Sequence, residues 1–563
     1  MLLQTVTRFQ RFAVAIAFTV VLSGVSSVED RNYWYEEARS AIHRRLQGSN
    51  LETFAQNVIL VVGDGLGMTT LTAARILKGQ RQRRAGEEEQ LAWDQFPAVA
   101  LARTYNNDAQ IGESSACATA LLCGVKANYE TVGIDSEGRL NNCHSSLSSR
   151  VPSLFNWAQE QGKATGLVSN ARLTHATPAA GYAHSASRYW EDDSKMPPAS
   201  RRTCKDIARQ LVEDQPGRSI NVLLGGGRRH WVSAMTRDPE EPQKEGRRLD
   251  GRNLVEDWLR DKKGRGLKAQ YIWNKRQLQQ VDVRTLDHLL GIFAFSHLEF
   301  EADGSAGPSG DPTLLEMTRI AVQLLLKNPR GFFLFIEGGR IDHANHYNNA
   351  FRSLDETLAL EAAVLEAMSQ VDLAETLLVF TADHSNVLSM GGLTTPRGNS
   401  ILGLDNKLSD VDGKPYSTLL YGNGPGYSVP RSVPHGNYRD VVQAAAIPRT
   451  WSTHGGEDVP VFAVGPLSSL LFSGTFDQSY IPHAIAYVAC LGEYAKRCTT
   501  GGKMSKQSCS DVPSLSAVMA DDSSSMNQSY MLKKQISEKN NYLVNQPMHF
   551  TGILLFVMIV LLI

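Results

Sequence analysis

The chain has almost no net charge, few cysteines for its length and no internal repeat. Its 57 lysines and arginines nearly balance 58 aspartates and glutamates, leaving −1, so no global positive field exists to hold nucleic acid. The one charge-dense stretch, RQRRAGEEEQ at 81–90, mixes signs beside a glycine and reads as a solvated loop. Seven cysteines in 563 residues permit disulfides but leave at least one thiol unpaired. The apolar run FTGILLFVMIVLLI at 550–563 falls short of the ~20 residues a spanning helix needs.

What is present is ordinary globular material, 42% hydrophobic and 20% charged, with enough for a sizeable core. Arg8 and Arg11 precede an apolar run from Phe12 to Leu22 and the small residues SGVSS. That pattern is a secretory signal peptide covering residues 1–27. On a secreted chain the apolar segment 550–563 reads as a signal exchanged for a GPI anchor, which would place the protein on the extracellular face of the plasma membrane. DDSSS at 521–525 and SEKNN at 537–541 both remain as attachment sites. Asn527 heads the sequon NQS within a polar, flexible segment, 511–549, where a glycan would be exposed.

Between these ends, short continuous apolar runs recur: NVILVVGDG (57–65), TGLVSN (165–170), INVLLGGG (220–227), GFFLFIEGG (331–339), TLLVFTADHS (376–385) and VPVFAVG (459–465). Continuous runs mark strands buried on both faces, as in a parallel sheet covered by helices. Helical patterns such as TTLTAARILKG and LLEMTRIAVQLLLKN alternate with them. The fold class is therefore α/β, a doubly wound, mostly parallel central sheet flanked by helices, in a domain spanning 51–510. Residues 28–50 form an amphipathic helix outside that sheet. Residues 392–452, rich in Gly, Pro, Asn and Tyr, form a loop-rich inserted subdomain.

In open α/β sheets ligands bind beyond the carboxyl ends of the strands, and there the polar residues collect. Asp64 follows the first run, Glu337 closes the fourth, Asp383 and His384 follow the fifth, and His454 precedes the sixth. Buried carboxylates and imidazoles are costly unless compensated, and a cation cluster compensates them. Asp342 and His346 are four apart, on one face if the segment is helical. With His454 they make a zinc-like set of three ligands and an open position. Asp64, Asp383 and His384 make a second such set. Asp64 and Glu337 with a hydroxyl suit a harder, oxygen-preferring ion such as magnesium. His343, adjacent to Asp342, points elsewhere and reads as structural. IGESSACATA (111–120) offers Ser114, Ser115 and Cys117 among small residues after a carboxylate.

At these residues the chain resembles the animal alkaline phosphatases. VVGDGLG, TAARILKGQ, LCGVKANYETVGI, HATPAAGYAHSASR, LLGGGRR, NPRGFFLFIEGGRIDH, TADHS and THGGEDVPVFA carry the resemblance over most of the mature length. It implies an enzyme hydrolysing small phosphate monoesters through a phosphoserine. One zinc would be held by Asp342, His346 and His454. A second would be held by Asp64, Asp383 and His384, with Ser114 as nucleophile. Magnesium would be bound by Asp64, Thr177 and Glu337. Arg188 would bind phosphate in a planar fork, with Glu113 and His175 supporting these groups from behind. Ser115 would be a packing residue. The resemblance also implies disulfides Cys143–Cys204 and Cys490–Cys498, buried thiols at Cys117 and Cys123, and a homodimer built through the N-terminal helix and the crown-like insertion 392–452.

Four positions depart from the family pattern: Cys117 stands where Thr is common, Asn345 stands beside the ligand where vertebrate forms have His, and Glu113 and Asn386 also differ. Glu113 stands where Asp is usual, one methylene longer, so a looser hold on Arg188 is expected. Asn386 replaces the His after DHS. A calcium site of some animal members would match Glu240 and Asp311, but Ala294 stands at its glutamate position, which argues against calcium here. Two rival functions fit the sequence less well. One is a related phosphodiesterase or sulfatase, the other a catalytically impaired surface receptor.

Overall fold

The computed structural model describes residues 29–46, 53–304, 310–433 and 438–498. The expected signal peptide, Cys509, the polar segment with Asn527 and the apolar tail lie outside the described residues. The described residues up to Arg497 belong to one compact unit, and Cys498 belongs to a second.

Ten strands form one sheet: β1 (Asn57–Gly63), β2 (Ala98–Arg103), β3 (Ala164–Arg172), β4 (Val222–Gly226), β5 (Ala269–Ile272), β6 (His288–Ile292), β7 (Phe332–Gly338), β8 (Thr376–Ala382), β9 (Val459–Val464) and β10 (Gly474–Asp477). Their spatial order is β10-β2-β9-β8-β1-β7-β3-β4-β6-β5. All neighbours pair in parallel except β9, which runs antiparallel to both β8 and β2. All six apolar runs are strands of this sheet. β1, β7 and β8 are buried at every position, as helices on both faces require.

Four strands have no counterpart among those runs. β2 alternates, with Ala98, Ala100 and Ala102 buried and Val99 and Leu101 exposed, so it shows no continuous apolar block. β5 and β10 are four residues each and half-polar. β6, HLLGI, is buried but merges in sequence with the apolar stretch after it.

The N-terminal helix is Arg31–Leu46, burying Trp34, Ala38, Ala41 and Ile42 along one stripe. It packs on the helix Tyr480–Ala489, with Tyr35 edge-on to His483 at 4.5 Å and Arg45 over the Tyr480 ring at 4.8 Å. The helix that positions the serine cluster is Ser114–Cys123, whose ten residues are all buried. Its small side chains let it pack closely among the helices Ala176–Ala179, Tyr480–Ala489 and Leu154–Glu160. It ends at Gly124, at φ 74°, where a Cβ would stand 2.2 Å from His483 Nε2. Only glycine fits there.

The insertion 392–452 is mostly irregular. A three-residue antiparallel ladder, Leu388–Met390 with Leu419–Tyr421, anchors its stem. Cys143 and Cys204 form a disulfide, while Cys117 and Cys123 are free and buried. Cys490 and Cys498 are each disulfide-bonded. No helix among the described residues is long and apolar enough to cross a membrane.

Candidate active site

The site is assembled at the carboxyl edge of the sheet. β1, β7 and β8 lie side by side in register, pairing Gly63 with both Gly338 and Ala382. Asp64, Glu337 and Asp383 therefore emerge next to one another. Because β9 is antiparallel, it begins at the edge where its neighbours end. His454, five residues before it, joins them there and pairs with Asn386 in a short antiparallel bridge. The helix Arg340–His346 places Asp342 and His346 one turn apart, with His346 Nε2 3.0 Å from Asp342 Oδ2.

Backbone carbonyls fix the three imidazoles. His346 Nδ1 faces Ser452 O at 2.7 Å, His454 Nδ1 faces Gly112 O at 2.9 Å and His384 Nδ1 faces Ser385 O at 3.1 Å. A carbonyl only accepts, so each Nδ1 carries the hydrogen and each Nε2 turns a lone pair inward. Those lone pairs face carboxylates. His454 Nε2 lies 3.7 Å from Asp342 Oδ1, and His384 Nε2 lies 3.5 Å from Asp64 Oδ1 and 3.3 Å from Asp383 Oδ2. Lone pairs and anions converging without a donor between them are the geometry of a cation site.

The carboxylates agree. Both oxygens of Asp64, Oε1 of Glu337 and Oδ2 of Asp383 are buried with no hydrogen-bond partner, although buried polar atoms are nearly always satisfied. Asp383 Oδ1, in contrast, accepts from the Gly65 and His384 amides at 3.0 and 2.8 Å, which aims Oδ2 into the cluster. Burial pushes Glu337 up to about 8 and Asp383 up to about 6. Burial, followed by the neighbouring Asp383 and Asp342, raises Asp64 well above the usual carboxylate range. Burial also lowers His454 to about 4. Cations would remove all of these penalties at once.

Among the described residues four groups, overlapping in part, offer ligand atoms within 4.8 Å of one another: Asp342, His346 and His454; Asp64, Asp342 and His384; Asp64, His175 and Glu337; and, sharing His175 with the third, His175, His297 and His343. The first is the set expected from the sequence. The second brings Asp342 beside Asp64 and His384, with Asp383 held against the same His384 Nε2. The third puts the His175 ring at ligand distance, while the Thr177 hydroxyl lies beside Glu337 without a hydrogen-bond partner by geometry. The donor sets, nitrogen-rich at one end and oxygen-rich at the other, fit borderline and hard divalent ions respectively.

Ser114 opens its helix with Oγ 3.2 Å from His384 Nε2. Glu113 is the N-cap. Its Oε1 accepts from Ser115 Oγ at 2.5 Å, Ala116 N at 2.8 Å and Glu130 N at 3.0 Å. Its Oε2 accepts from Ser115 N at 3.1 Å and Arg188 Nη1 at 2.6 Å. Burial opposes its charge, but Arg188 and these donors hold it below the usual carboxylate range. Glu113 therefore reaches and grips Arg188, contrary to the looser hold expected from its extra methylene. The added length lets one oxygen cap the helix while the other pairs the arginine. Ser115 is more than a packing residue, because its hydroxyl and amide both orient Glu113. Arg188 keeps Nη2 near His175 Nε2 at 3.4 Å.

Asn386 donates to Asp342 Oδ1 at 2.9 Å and to Gly65 O at 3.2 Å, so it steadies a cluster carboxylate. Gly65, at φ 68°, leaves the room, since a Cβ there would lie 2.2 Å from Asn386 Nδ2. Cys117 packs behind, its thiol donating to Thr104 O at 3.2 Å. Sequence reasoning missed the Ser452 and Gly112 carbonyls, which no residue pattern announces. It also missed His297, which meets His175 and His343 in a three-imidazole contact with centroids 4.2–5.3 Å apart.

A buried serine beside unneutralised carboxylates and lone-pair imidazoles, at the carboxyl edge of a doubly wound sheet, defines the class of metal-dependent hydrolases. The alkaline phosphatase family model matches residues 55–491, and the chain belongs to that family. It is 46% identical to the tissue-nonspecific alkaline phosphatase of Gallus gallus over 84% of this chain and 92% of that protein. To the Homo sapiens tissue-nonspecific isozyme it is 44% identical over 84% and 90%. The Thermus thermophilus alkaline phosphatase structure superposes with a TM-score of 0.55 at 24% identity, covering 79% of this chain and 94% of that one. That likeness shares the fold.

Proposed function

We propose that the protein is a phosphomonoesterase in which Ser114 Oγ attacks the phosphorus of a phosphate ester and forms a phosphoserine. Arg188 binds two phosphate oxygens through the donors that Glu113 leaves free. The amides at the start of the Ser114 helix add favourable dipoles for the anion. The alcohol leaves on the side opposite Ser114, towards Asp342, His346 and His454, and water entering from that side cleaves the phosphoserine. Two zinc ions, one held by Asp342, His346 and His454 and one by Asp64, Asp383 and His384, with magnesium held by Asp64, Thr177 and Glu337, would supply Lewis acidity and lower the Ser114 hydroxyl pKa.

The observation carrying this reading is the set of buried, partnerless carboxylate oxygens within reach of Ser114 and Arg188. The grip of Glu113 on Arg188 and of Asn386 on Asp342 speaks against an impaired receptor. Activity on an aryl phosphate at alkaline pH, with zinc and magnesium supplied, tests it. Wild type should turn over and Ser114→Ala should not, and metal analysis should return zinc and magnesium at two to one. Wild-type activity no higher than the variant's, or aryl sulfate as the better substrate, overturns the reading. In the same reading the protein is a homodimer held at the cell surface by a GPI anchor. The exposed Leu393, Leu408, Val411 and Val429 of the insertion support an interface. Sedimentation and release by a phosphatidylinositol-specific phospholipase check these two points.

A further inference from the structure

The imidazoles near Ser114 form a row leading outward. His384 touches Ser114, His454 stacks on His384 with centroids 3.6 Å apart, and His346 follows at 5.1 Å. The row does not end there. Trp451 stands edge-on to His346 at 5.9 Å, and Tyr347 lies 4.9 Å from Trp451 at 41°. Both outer rings are 48% exposed. The other seven tryptophans are buried or half-buried, so an open indole here runs against the chain's own habit.

Trp451 is also held in place. The next residue, Ser452, donates its amide to His346 O at 3.0 Å and accepts from His346 Nδ1 at 2.7 Å, while Arg449 Nε donates to Trp451 O at 3.3 Å. A half-exposed ring on a backbone pinned in this way is a prepared stacking surface. In an in-line displacement the leaving group departs away from the nucleophile, here past His346 and out along this row.

We propose that Tyr347 and Trp451 form a platform for the leaving group, favouring phosphates of planar aromatic alcohols, either nucleosides or aryl alcohols, over those of small aliphatic alcohols. This rests on the phosphomonoesterase reading. The test compares kcat/KM for adenosine 5′-monophosphate, naphthyl phosphate and glycerol phosphate in wild type, Trp451→Ala, Tyr347→Ala and Trp451→Phe. Equilibrium dialysis of free adenosine against the metal-loaded proteins accompanies it. Trp451→Ala should lower kcat/KM for the two aromatic esters about two- to tenfold, leave glycerol phosphate and inhibition by inorganic phosphate unchanged, and weaken adenosine binding. Trp451→Phe should keep most of the preference. Loss on adenosine monophosphate alone, or on naphthyl phosphate alone, identifies which alcohol the platform takes. An equal fall for all three esters, or none for any, overturns the proposal. If no ester is hydrolysed, the phosphatase reading fails, while the dialysis still reports on the platform.

Discussion

Glu113→Gln isolates the contact on which phosphate recognition turns. The carboxylate accepts five hydrogen bonds, three on Oε1 and two on Oε2, the latter including Arg188 Nη1 at 2.6 Å. Glutamine has one acceptor oxygen. Left at the Oε1 position to keep the cap, it turns its NH2 toward the Ser115 amide and the Arg188 guanidinium, donor against donor. The side chains of Glu113 and Arg188 are only 5% and 16% exposed, so solvent screens the lost pair little. A hydrogen bond between charged groups contributes about 1.5–3 kcal/mol, about ten- to a hundredfold. Both kcat/KM for an aryl phosphate and the inhibition constant for inorganic phosphate should worsen by that factor, because each reads the same oriented guanidinium. Urea unfolding without phosphate should show the variant less stable, since Arg188 would be a buried charge without its partner. Glu113→Gln values within twofold of wild type for both constants would refute the reasoning.

Asn386→Ala should free Asp342 and weaken zinc retention about ten- to a hundredfold, read as faster loss to a chelator, with an unchanged off-rate counting against the role. Burial holds His184, His288 and His483 each at about 4, against ~6.5 when unfolded. The folded chain then binds fewer protons than the unfolded chain over that range, so stability falls as pH drops from about 6.5 to 4, by ~1.4 kcal/mol per pH unit for each histidine. His483→Gln should remove one proton's worth of that slope in urea titrations at stepped pH. The Cys143–Cys204 disulfide spans a sequence separation of 61, and opening it by Cys143→Ser should cost ~4 kcal/mol, seen as a lower urea midpoint.

The parallel core was legible because strands such as NVILVVG and FFLFIEG are buried at every position and therefore show unbroken apolar runs. AVALAR was not, because half its side chains face outward and alternation over six residues is a faint signal. The ligand candidates were legible for the same reason as the core, since an acid or imidazole directly after a buried strand stands out. What could not be read was how they are aimed. The carbonyls of Ser452, Gly112 and Ser385 set the imidazole tautomers, and every residue has a carbonyl. Glu113 misled in the same way, since four of its five donors come from the peptide backbone or from Ser115. Tyr347 and Trp451 lie far apart in sequence and meet only because Ser452 is pinned to His346.

The reversed direction of β9 also shapes what evolution can change. The chain leaves the sheet after β8 and returns into β9 at the same edge, and the bridge of Ser385 and Asn386 to Gly455 and His454 ties exit to entry. Between 392 and 452 the chain is also tied back to the body at Gln80, Asn345, Asn348 and His346, and its outer loops hang between these ties. Doubling the length of such a loop costs only ~0.6 kcal/mol of closure entropy. The outer loops of the insertion can therefore be shortened, extended or exchanged to suit new neighbours while Ser452 and His454 stay where they are, so that the part of the insertion farthest from these ties is the part most easily replaced.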